Sequence, residues 1–190
     1  MLKLLKFLFV LFLGVISCAC VNMVAVHELN SKASDYLEEG DINSAISRLE
    51  ASIDLDGKVY ESRYNLASAY LQIGKNKEAL EHIKVAMELQ KNEPIVFYTY
   101  AVAAMKVADE IYEKKNKDGQ IVPVEFKTDL ALQKAAEQYV DLLTKPNSAF
   151  NEYLELAPNA EDTQQIFVAV NDNEQKIKEK AEQYGIALEE

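Results

Sequence analysis

Cysteine, proline, glycine and positive charge are all scarce in this chain, and each shortage removes a class of protein. The two cysteines, Cys18 and Cys20, cannot build a disulfide scaffold or a four-ligand zinc site. Six glycines and four prolines are too few for a loop-rich β-sandwich. Lys and Arg number 20 against 31 Asp and Glu, a net charge of −11. That balance argues against a nucleic-acid binder, because neutralising phosphates takes clustered cations. The only histidines are His27 and His82, and neither has a Cys, Asp or Ser at a spacing that forms a ligand set or triad on one helix face. His82, between Glu81 and Ile83, reads as a solvated helix histidine, and His27 as a loop or first-turn residue. Acidic runs such as Glu38-Glu39 and Glu189-Glu190 read as solvated faces. No phosphate loop, GxGxxG, HExxH, GxSxG or paired CxxC occurs. The sequence therefore offers no catalytic residues, no metal ligands and no cofactor, and the expectation is a protein that is not an enzyme.

What is there is apolar and helical. Hydrophobic residues make up 49% and charged ones 27%, an ordinary globular balance. A chain of 190 residues suggests one domain that buries roughly 70% of its unfolded surface.

The N-terminus is a separate object. Lys3 and Lys6 precede an unbroken apolar run, FLFVLFLGVI, from Phe7 to Ile16. A short positive stretch followed by about ten apolar residues is the form of a secretory signal peptide. Val15-Ile16-Ser17-Cys18 resembles the bacterial lipobox, with a branched apolar residue, a small residue and then cysteine. The resemblance implies a signal peptide over residues 1–17, acyl chains on Cys18, and a mature chain that begins there. It also implies sorting to the outer membrane, since Ala19 stands where an Asp would signal inner-membrane retention. Two other readings of these residues stand beside it: an uncleaved anchor over Phe7 to Val26, or a simple signal cleavage site. Cleavage at Cys18 would leave 31 acidic against 18 basic residues, a net charge of −13. Such a body gains nothing from anionic head groups, so acyl chains must hold it.

The rest of the chain repeats. Residues 26–59 laid over 60–93 match at a fixed offset of 34: Ala33 with Ala67, Tyr36 with Tyr70, Gly40 with Gly74, Ala45 with Ala79, and Leu55 with Leu89. Each Gly sits where a helix C-terminus needs a positive φ, and apolar residues flank it at spacings of three and four. The alanines lie where two helices of a hairpin cross. A single hairpin cannot bury its apolar face and must stack on a neighbour. The period and residue pattern resemble the tetratricopeptide repeat (TPR) family. The resemblance implies an all-α solenoid of TPR-type helical hairpins, three to four repeats closed by a C-terminal capping helix. Residues 18–25 are then expected as a lipidated N-terminus and short linker, and residues 26–190 as the TPR domain. Repeats 26–59 and 60–93 are clear. A third repeat over 94–114, opened by Pro94, lacks a Gly where Ala108 stands, and its helix is expected to continue to about Lys114. Residues 115–127 form an insertion with turn residues and a strand-like stretch broken by Pro123. A further degenerate repeat, 128–158, is expected as helical pattern through Leu130 to Leu143, a stop at Pro146, and a second helix over Ser148 to Ala157. The capping helix spans 161–184, with a possible break at Asn171-Asp172-Asn173.

Family register assigns a concave partner-binding groove. It comprises Asn30, Ser34, Leu37 and Glu38 in the first repeat and Tyr64, Asn65, Ser68, Leu71 and Gln72 in the second. Tyr98, Val102, Met105 and Lys106 follow in the third. Tyr64 and Tyr98 read either as partner anchors or as helix-packing residues. TPR domains that clamp an acidic peptide C-terminus use Lys, Asn and Arg at set groove positions; here only Asn65 survives. The strip instead suits an uncharged or mildly basic apolar segment. These features resemble, in fold and anchor, TPR lipoproteins such as pilus pilotins. The expected function is a lipid-anchored, non-catalytic adaptor or scaffold for protein–protein interaction in assembly of a bacterial envelope complex. Its partners are a protein or peptide and the membrane, with no nucleic acid. The alternative is a ligand-binding accessory subunit of an envelope transport system.

Overall fold

The structure, a computed structural model, describes residues 22–115 and 120–188; Cys18 and the lipobox lie outside them. Helix follows helix in antiparallel pairs. The chain is helical over 22–38 (α1), then through α2 (Ile42–Leu55), α3 (Tyr60–Gln72), α4 (Asn76–Leu89) and α5 (Pro94–Tyr112). A two-stranded antiparallel hairpin, β1 (Glu113–Lys115) and β2 (Ile121–Pro123), leads into α6 (Asp129–Leu156) and α7 (Thr163–Tyr184). Each helix packs on the next, α2 on α3 through to α6 on α7, with the α5–α6 contact the most extensive. The expected all-α TPR-type solenoid is the observed architecture.

The two glycine turns show how the repeat is built. Gly40 and Gly74 take φ of +79° and +73°, a region costly for any residue with a Cβ. At the first turn the Gly40 N–H donates to the Leu37 carbonyl and the Asp41 N–H to the Tyr36 carbonyl, at 3.2 and 2.8 Å. At the second, Gly74 and Lys75 donate to Leu71 and Tyr70 at 3.2 and 2.9 Å. Each pair of bonds satisfies carbonyls that a helix C-terminus leaves open, and so ends the first helix of its pair. Asp41 then opens α2 as its cap, accepting from the Ser44 N–H at 3.1 Å. The 34-residue spacing reappears as burial: Ala33, Ala67 and Ala101 are all buried, as are Ala45 and Ala79.

The third pair departs from the expected plan. α5 ends at Tyr112, and Glu113 and Lys114, expected as helix, form a strand with Lys115 instead. The register pairs Glu113 with Pro123, so Pro123 lies at the end of the short ladder, where a missing donor costs least. α6 does not stop at Pro146. It is one helix of 28 residues that packs on α5 from one side and α7 from the other, so the expected hairpin within residues 128–158 is absent. Pro146 is nearly fully buried, and packing on both flanks outweighs the roughly 3 kcal/mol that an interior proline costs. α7 likewise runs unbroken through Asn171–Asn173. Asn173 is buried and donates to Asn147 Oδ1 of α6 at 3.0 Å, so the polar run is a contact rather than a break.

Candidate partner-binding groove

The first helices of the pairs lie side by side. Asn30 of α1 bonds Ser62 of α3, and α3 touches α5 directly. Most of the thirteen groove candidates lie at the boundary of core and solvent or beyond it. Leu37, Tyr64, Leu71 and Met105 are half-buried against the core, Asn65, Ser68 and Val102 are half-buried, and Ser34 and Gln72 are exposed. Glu38 and Lys106 are exposed at the edges of the same strip.

Two further candidates, Asn30 and Tyr98, are half-buried and tied to side chains of neighbouring helices. Asn30 Nδ2 donates to Ser62 Oγ at 2.8 Å, with Ser52 Oγ and the Val26 carbonyl each 3.0 Å away. Ser52 and Ser62 are fully buried and lie 2.9 Å apart, so Asn30 belongs to a polar knot between the first two pairs. Tyr98 is packed between helices, its ring 5.9 Å from Phe150 and 5.6 Å from Tyr153 of α6. Of its two sequence readings, the helix-packing one describes this geometry.

A cleft of about 590 Å³ closes one end of the strip. Leu71 and Gly74 line it from one pair, Lys106, Asp109 and Glu110 from α5, and Glu113 and Lys114 from the hairpin. Desolvation raises the Asp109 carboxyl above the ordinary carboxylate range; Lys176 and Lys106 oppose the shift and Glu113 adds to it. Asn76 Nδ2 ties the cleft wall to Glu110 Oε1 at 2.7 Å. Sequence reading missed this cleft, because its hairpin wall was expected to continue α5 as helix. The hairpin is held down: Val124 N–H donates to the Tyr112 carbonyl at 2.7 Å, and the Phe126 ring meets Tyr112 at 5.8 Å. Tyr112 also meets Tyr139 at 5.1 Å, and burial pushes the Tyr139 phenol up to about 12.

The histidines stand differently from expectation. His27 is an exposed residue within α1 rather than in a loop or first turn. His82 is not solvated: it is half-buried, stacked on Tyr70 at 5.7 Å, with Arg63 Nη1 3.2 Å from its Nδ1. Burial, and then the Arg63 charge, lower its pKa below the ordinary value. Tyr70 donates to Glu50 Oε1 at 2.8 Å, and burial with this bond raises its phenol to about 12. The cluster is helix glue among α2, α3 and α4. Among the described residues no group of three or more His, Cys, Asp or Glu could hold a metal ion, and no helix is long and apolar enough to cross a membrane.

Repeated helix pairs, glycine turns and a strip along the first helices define a TPR-type solenoid. The tetratricopeptide repeat family model matches residues 36–117. Three solved structures show the same fold. The Arabidopsis OM64 TPR domain is 16% identical, with a TM-score of 0.58, over 81% of this chain and 98% of that one. The second TPR domain of human RPAP3, in complex with the HSP70 peptide SGPTIEEVD, is 17% identical, with a TM-score of 0.57, over 80% and 98%. The Yersinia enterocolitica secretion chaperone SycD, in complex with a peptide of the translocator YopD, is 17% identical, with a TM-score of 0.51, over 81% and 92%. No curated protein matches the chain.

Proposed function

We propose that this protein is a lipid-anchored, non-catalytic adaptor that holds a protein segment in assembly of a bacterial cell-envelope complex. The observation that carries the reading is the half-buried strip of Tyr64, Asn65, Ser68 and Leu71 on α3 beside Val102 and Met105 on α5. It offers an apolar floor with a few hydrogen-bonding groups, the surface a helix or extended segment can dock against. Structures of the same fold hold peptides, those of RPAP3 and SycD among them. The occupant here differs from the acidic HSP70 peptide of RPAP3. At the positions where carboxylate-clamping TPR domains carry Lys, Asn and Arg, this chain has Asn30, Ser34, Ile95 and Thr99; Asn30 is committed to Ser62, Thr99 is buried and donates to its own helix, and Ile95 carries no charge, so a carboxylate would meet few donors. An uncharged or mildly basic apolar segment fits better, and a body of net charge −13 favours the basic one. The anchor is Cys18, supported by the tetrapeptide Val15 to Cys18 after its apolar run. The site of action is then the envelope, at the periplasmic face of the outer membrane in a Gram-negative host.

The experiment is a labelled-palmitate feed of cells that express the natural chain or Cys18→Ala. Label and membrane fractionation should both be lost in the variant. Retained label, or label that depends on Cys20, contradicts the anchor.

A further inference from the structure

Met23 and Val24 are the most exposed large hydrophobic residues among those described, at 69% and 64%. Together with His27, Glu28 and Ser31 they border a shallow cavity of about 550 Å³ on one side of α1. The helix's opposite side is spent already, for Val26 and Ala33 are buried. The first turn of α1 thus carries apolar side chains on both sides, Val26 facing the protein and Met23 and Val24 facing out ahead of the polar His27, Glu28 and Ser31, a pattern that calls for a second apolar neighbour at the helix start.

We propose that the lipid bilayer covers this outer face, so that α1 seats the solenoid on the membrane; the inference rests on the Cys18 anchor proposed above. Covalent reach supports it. From Cys18 to Asn22, already helical, there are four residues, which span at most about 14 Å when fully extended. The start of α1 therefore stays within roughly one helix diameter of the head groups. Charge supports it as well. Residues 19–27 contain no Asp, Glu, Lys or Arg; the first acid is Glu28, followed by Asp35, Glu38 and Glu39. Glu28, the one acid bordering the patch, is paired with Lys32 at 2.7 Å, and Asp35, Glu38 and Glu39 lie one or more turns further along the helix. A second copy of the chain is a poorer occupant, because two side chains fall far short of the ~800 Å² that each partner of a stable protein interface buries.

The chain contains no tryptophan, so one placed here reports alone. The test uses acylated full-length protein carrying Val24→Trp, in vesicles of phosphatidylcholine and phosphatidylglycerol with and without brominated acyl chains. Phe167→Trp, at an exposed position on α7, serves as the reference. Both variants should float with the vesicles, and only the Val24→Trp emission should shift to the blue and be quenched by bromine. Flotation with a water-like, unquenched Val24→Trp emission overturns the seat and leaves the anchor standing. A blue shift without quenching assigns the face to a second copy and also overturns it. Failure to float overturns the anchor itself, and the seat with it.

Discussion

At the interface between the first two helix pairs, three polar side chains hold positions that the next interface fills differently. Asn30, Ser52 and Ser62 recur 34 residues later as Tyr64, Ala86 and Val96. The Asn30 Oδ1 is buried without a partner, so the knot has no bond to spare. Ser62→Val should cost about 1–3 kcal/mol, because it strips Asn30 of its shortest bond. The triple variant Asn30→Leu, Ser52→Ala, Ser62→Val should recover most of that loss in urea unfolding, since no buried polar group is then stranded. If the triple variant is less stable than the single one, the knot is a net stabiliser. His82 gives a second residue-scale prediction. Its pKa is lowered in the fold, so the unfolded chain, with an ordinary value near 6.5, takes the proton first. This contribution is intact above about pH 6.5 and is lost as pH falls toward the lower folded value. Wild-type stability should therefore drop more steeply over that range than His82→Gln stability; parallel curves would contradict it. The His82 and Asn30 environments were illegible in the sequence for one reason. Position in a repeat names the helix face, but which partner crosses that face depends on side chains as far as 32 residues away.

Elements were legible where backbone chemistry is local and illegible where packing overrides it. The glycine turns at Gly40 and Gly74, the start of α5 at Pro94 and the 34-residue alanine spacing all follow from residues within one turn or one repeat. Pro146 is the counterexample. A proline's local cost says stop, but the summed burial of Tyr139, Val140, Leu142, Leu143, Ala149, Phe150 and Tyr153 along α6 keeps the helix whole. Hydrogen exchange tests the continuity directly. Amides from Leu142 to Phe150 should show protection that varies smoothly with the rest of α6. A gap of fast exchange after Pro146 would restore two helices.

For the molecule as a whole, the pairs stack in chain order, α7 covers α6 as a final layer, and the strip on α3 and α5 stays at the protein's surface. That the strip lies on α3 and α5 was legible in outline, because the repeat period marks the first helix of each pair. The contacts that tie down Asn30 and Tyr98, and the cleft behind the hairpin, became visible only with contacts between elements. Docking of a partner segment on this strip is the central claim. The most direct measurement is photocrosslinking in native membranes from a probe at Ser68 on α3, with Ser47 on the outer helix α2 as its reference; Ser47 is exposed and bonds only its own helix, at the Asn43 carbonyl. Docking on the strip predicts one discrete crosslinked species from Ser68 that is absent from Ser47 and disappears with Gln72→Arg and Val102→Arg introduced together. Equal crosslinking from both positions, or a Ser68 adduct that survives those substitutions in a folded protein, would place the partner elsewhere.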